Sequence, residues 1–71
     1  MTKPRYTAEE YRTTARKYLT QRDVMKWQQE QARLNGEKQR AERYQIGIDA
    51  MDAAADRHMA LAERAEMEER R

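Results

Sequence analysis

The stretch Gln31-Ala32-Arg33-Leu34-Asn35-Gly36-Glu37-Lys38 decides how the whole chain is arranged. Apolar residues recur at helical spacing on both sides of it, and Asn35 and Gly36 are residue types that readily take the left-handed backbone closing a helix. Glu37 stands where an acid favours the first turn of a new helix. The segment therefore predicts a turn at 35–36 joining a helix over about 7–34 to a second over about 37–69. The competing reading is one continuous rod through Asn35 and Gly36, at a cost of about 1 kcal/mol for the helical glycine.

Working back from the turn, the first helix has a clear start. Thr7 is a good N-cap, Glu10 stands three residues later to complete a capping box, and Tyr6 and Tyr11 occupy the positions of a hydrophobic staple. Residues 1–5, with Lys3, Pro4 and Arg5, read as a short flexible basic arm, leaving 6–71 as a single domain. From Tyr11 a stripe runs through Ala15, Tyr18, Arg22, Met25, Gln29 and Ala32 at alternating four and three spacing, broken by the polar Arg22 and Gln29. Val24, Trp27 and Leu34 fall on the other side of that helix. Either the helix breaks and restarts at Thr20-Gln21-Arg22-Asp23, or Trp27 marks a second contact surface. The second reading is preferred.

Forward from the turn, Ala41, Tyr44, Ile48, Met51, Ala55, Met59 and Ala62 make a four-three repeat of three heptads. Ala50, Ala54, Leu61 and Ala65 widen the stripe beyond what a two-stranded seam uses. Gly47 reads as a tolerated helical glycine, the alternatives being a kink or a close approach. The run from Glu66 to Arg71 is charged and should fray.

Composition agrees with this pattern. The chain has 71 residues, of which 39% are charged, and only six are Leu, Ile or Val. Ala, Glu, Lys, Leu and Arg make up more than half of it, the profile of a long helix or coiled coil. A domain this small has a thin core to set against about 1.5 kcal/mol of conformational entropy per residue. The fold class expected is all-α: a two-helix antiparallel hairpin that self-associates into a helical bundle, most simply a dimer. Residues 1–40 carry ten Lys/Arg against five Asp/Glu, and residues 41–71 carry five against eight. A basic first helix beside an acidic second one would select register more than it would stabilise, since exposed pairs contribute under about 1 kcal/mol each.

The chemistry available is narrow. There is no Cys, no Ser and one His, which excludes serine and cysteine nucleophiles, disulfides and multi-His metal sites. No Gly-rich phosphate loop or dinucleotide fingerprint is present. Asp49, Asp52, Asp56 and Glu63 form an acidic row read as a solvated face, and His58 reads as an ordinary boundary residue of the apolar stripe. No enzyme activity, catalytic residue, cofactor or metal is expected.

What remains is binding. Tyr11, Arg12, Arg16 and Tyr18 make an aromatic and basic surface, and Val24, Trp27 and Leu34 make an off-seam apolar one. Trp, Tyr and Arg are the residue types that anchor protein interfaces. These seven are the candidate partner-binding residues, while Tyr44, Ile48, Met51, Ala55, Met59 and Ala62 are the candidate contacts between copies. The partners expected are a second copy and another protein; nucleic acid gripped by the basic first helix is the alternative. No stretch approaches the length of apolar sequence that spans a membrane, and no signal segment opens the chain, so a cytoplasmic protein without membrane contact is expected. Length and composition also fit the accessory and inhibitor proteins of phages and mobile elements, although no residue singles that setting out.

Overall fold

A computed structural model describes residues 6–71; the basic arm expected at 1–5 lies outside the described residues. The chain is an antiparallel hairpin of α1, Ala8–Leu34, and α2, Lys38–Glu69. Thr7 caps α1 as its sequence predicts: its hydroxyl accepts from the Glu10 amide at 3.2 Å, and the Glu10 carboxylate reaches back to the Thr7 amide. The Tyr6 and Tyr11 rings meet edge-on with centroids 5.7 Å apart, forming the staple.

The turn is a Schellman closure. Gly36 takes φ +75°, its amide donates to the Arg33 carbonyl at 3.0 Å, and the Glu37 amide donates to the Ala32 carbonyl at 2.8 Å. A continuous rod is thereby excluded. α1 itself has no break at Thr20, whose hydroxyl bonds back to the Arg16 carbonyl at 3.0 Å inside the helix and does not cap a new one.

Two rows of every-seventh residues on each helix face the other helix. One row is small: Ala8 and Ala15 on α1, and Ala41, Ile48, Ala55 and Ala62 on α2, all buried. The other is larger: Tyr11, Tyr18 and Met25 before Ala32 on α1, and Tyr44, Met51 and His58 before Ala65 on α2, with Ala32 the one buried member. Among the described residues seven are buried and six of these are Ala, so the seam is close-packed and contributes little apolar area. The hairpin measures 54 × 22 × 12 Å, one helix thick.

Polar contacts at three levels tie the two helices along their length. At the open end the Glu69 carboxylate accepts from the Ala8 amide at 3.2 Å, at the positive end of the α1 dipole, and Arg12 pairs with Glu66. Midway, Arg22 reaches Asp52 at 2.8 Å, and near the turn Gln29 donates to the Ala41 carbonyl at 3.2 Å and to Gln45 at 2.8 Å. The polar residues that interrupt the α1 stripe are thus its cross-helix hydrogen-bonding positions.

Candidate functional site

The hairpin is a slab with two broad faces, and its residues divide unequally between them. The small-residue rows lie toward one face, flanked by Arg12, Leu19, Lys26 and Arg33 on α1 and by Gln45, Asp52, Met59 and Glu66 on α2. This is the ion-paired face. Both ends of the Arg12–Glu66 pair are about one-third exposed, and the Arg12 guanidinium, helped by Arg70, holds the Glu66 carboxyl below the ordinary range. Hydrogen bonds to Asp52 and then to Asp23 push the Arg22 guanidinium further above its usual value.

The larger rows lie toward the opposite face. There the α1 positions are Tyr11, Thr14, Tyr18, Gln21, Met25, Gln28 and Ala32, and the α2 positions are Tyr44, Gly47, Met51, Ala54, His58, Leu61 and Ala65. None of the fourteen is Asp, Glu, Lys or Arg, in a chain that is 39% charged. Twelve are half-buried, Gln21 is exposed and Ala32 is buried, so the face is covered on its inner side only. Charge resumes in the adjoining rows, with exposed Arg43, Arg57 and Arg64 on α2 and Glu10 and Lys17 on α1.

Direct contacts confirm that these positions converge. The His58 ring lies 5.3 Å from that of Tyr18 and 6.3 Å from that of Tyr11, centroid to centroid. Its Nδ1 sits 2.8 Å from the Ala54 carbonyl, and because a carbonyl accepts, Nδ1 carries a proton. Gly47 is more than a tolerated glycine: the end of the Met25 side chain lies over it so closely that a Cβ there would come within 2.8 Å of the Met25 methyl. The expectation of simple tolerance is corrected to close packing. Two shallow hollows lie toward the ends of this face, one near Tyr11, Leu61 and Ala65, the other near Trp27, Ala32 and Tyr44.

Of the candidate contacts between copies, Ile48, Ala55 and Ala62 are 1–3% exposed and buried within the chain against α1. They are the intramolecular seam and are not available to a second copy, a correction to their expected role. Met59 also departs from expectation. The four-three repeat falls on His58, while Met59 turns toward the ion-paired face and is 45% exposed. Tyr44 and Met51 do lie on the uncharged face.

The candidate partner-binding residues separate into two groups. Tyr11 and Tyr18 are half-buried on the uncharged face, whereas Arg12 is held by Glu66 and Arg16 lies 3.6 Å from Glu9. Val24, Trp27 and Leu34 are 53%, 65% and 72% exposed along the outer edge of α1, away from α2. The structure therefore leaves the off-seam residues uncovered and draws the Tyr residues into the hairpin. Helical periodicity could have found the uncharged face: reading each helix for where charge is missing, instead of where apolar residues occur, collects all fourteen positions.

The acidic row is not a free cluster, since Asp52 is held by Arg22 and Asp49 accepts from Gln45 at 2.9 Å. Among the described residues no three of His, Cys, Asp or Glu come together as a metal site, and no helix is long and apolar enough to cross a membrane. Compared with family models, curated proteins and solved structures, the chain matches none.

Proposed function

We propose that the protein is a non-enzymatic cytoplasmic interaction module that self-associates and, in that state, presents the Val24–Trp27–Leu34 edge to a partner protein. The observation that carries this reading is the one-layer hairpin with an almost all-alanine seam beside a broad half-covered face free of charge. Small domains ordinarily bury a core between two packed layers, and this chain supplies one layer. Its accessible surface, 6,069 Å², exceeds the roughly 4,700 Å² of a compact monomer of its mass, 8.5 kDa. Exposed Trp27 supports the partner-binding part, because large apolar anchors on an otherwise charged surface mark contact sites. An accessory or inhibitor role of the kind small helical proteins play for phages and mobile elements falls within this reading.

Nucleic-acid binding through α1 is the weaker alternative. Arg12 and Arg22 are engaged with Glu66 and Asp52, which lowers the positive charge free to meet phosphates. The deciding experiment is native mass by light scattering across a range of loading concentrations. The expected result is a mass at least twice 8.5 kDa at micromolar concentration. A well-ordered 8.5 kDa monomer, with slowly exchanging amides along both helices, would overturn the self-association reading.

A further inference from the structure

We infer that the uncharged face is covered by a second copy of this chain, face to face across a two-fold axis, giving a two-layer four-helix dimer. This rests on the self-association reading above and specifies which surface performs it. The first argument is charge. A foreign partner is selected, and wrong ones rejected, by complementary charge, and the centre of this face offers none. A two-fold contact instead requires a patch compatible with itself, and a surface without charge meets its own copy without repulsion. The charged rows that flank it, Arg43, Arg57 and Arg64 on one side and Glu10 and Lys17 on the other, give the dry centre and polar rim of a protein interface.

The second argument is area. The slab outline of 54 × 22 Å offers on the order of 1,000 Å² per copy, so pairing buries about 2,000 Å² in total, where obligate homodimers begin. The third is which side chains wait to be covered. Tyr18, Met25, Met51 and His58 are each half-exposed on this face after packing within the hairpin, and a second layer would bury them as a core in place of alanine methyls. The opposite face carries the Arg22–Asp52 pair midway and the Arg12–Glu66 pair toward its open end, and covering those would desolvate charges that water now solvates.

The test compares native mass and dissociation constant for the full chain and three variants. Gln21 and Ala54 stand near mid-length on the uncharged face, and Met59 on the ion-paired face. Gln21→Glu and Ala54→Glu should each weaken dimerisation at least tenfold, while Met59→Glu leaves it within threefold of the unchanged chain. Gln21 is exposed in the hairpin, so its variant separates loss of pairing from damage to the fold. A dimer that tolerates both uncharged-face variants, or that Met59→Glu dissociates, overturns the choice of face and leaves self-association standing. A wild-type monomer at every concentration overturns both.

Discussion

At the scale of single residues, the alanines of the seam set the separation of the helices. Ala15 and Ala55 are 0% and 1% exposed, so a larger side chain at either must push the helices apart. Ala15→Leu, which adds apolar bulk, should therefore destabilise by about 1–3 kcal/mol, read as a lower midpoint in urea. A stabilised variant would mean that the seam is looser than its burial indicates. Glu66 gives a second residue-scale expectation. Arg12 depresses its folded pKa, so the stabilisation it supplies is complete above the unfolded value of about 4.3 and is lost as pH falls through the lower folded value. Protection of the amides at the open end, near Ala8 and Arg12, measured against their intrinsic exchange rates, should fall across that acidic window. Glu66→Gln should remove most of the pH dependence; an unchanged acid response would assign it to other carboxylates. The same scale shows where sequence reading went astray. Met59 attracts attention as the apolar residue near the repeat, yet the spacing after Ala55 lands on His58, which the Tyr11 and Tyr18 rings then flank.

At the scale of elements, the two glycines make opposite demands. Gly36 closes α1 with φ +75°, so Gly36→Ala should cost about 1 kcal/mol, the left-handed penalty of about 1–2 kcal/mol being partly offset by a stiffer unfolded chain. Gly47 lies inside α2, and only the flexible end of Met25 contests the space of a Cβ. Gly47→Ala should then gain about 0.5–1 kcal/mol from helix propensity as Met25 swings aside. Thermal melts of the pair check both signs together; destabilisation by both would show that Met25 has nowhere to move. Much at this scale was legible beforehand. Thr7 with Glu10, Tyr6 with Tyr11, and Asn35-Gly36 each carry their signal within a few consecutive residues, where local geometry decides the outcome. What could not be read was how α1 and α2 share their stripes. Periodicity marks Ile48, Ala55 and Ala62 as facing something, but whether that is α1 or another chain depends on contacts more than ten residues apart. The pairing of Arg22 with Asp52 is hidden for the same reason, and on the sequence alone Arg22 looks like a flaw in the stripe.

At the scale of the whole molecule, folding and association should be one event. An isolated hairpin has a seam of six alanines and one isoleucine to oppose the ordering of two long helices, a thin core for 71 residues. If a second copy supplies the missing layer, the unfolding transition is that of a dimer, and its midpoint depends on protein concentration by mass action. Each tenfold dilution then removes about 1.4 kcal/mol of apparent stability. For a unit of two such chains this corresponds to a fall in Tm of roughly 3–6 °C. Circular dichroism melts from low to high micromolar concentration should show that drift, and Gln21→Glu should lower the whole curve while leaving helicity at low temperature nearly intact. A Tm independent of concentration, with a steep transition at 8.5 kDa, would mean that the alanine seam and its polar ties suffice alone, leaving the uncharged face open in the free protein.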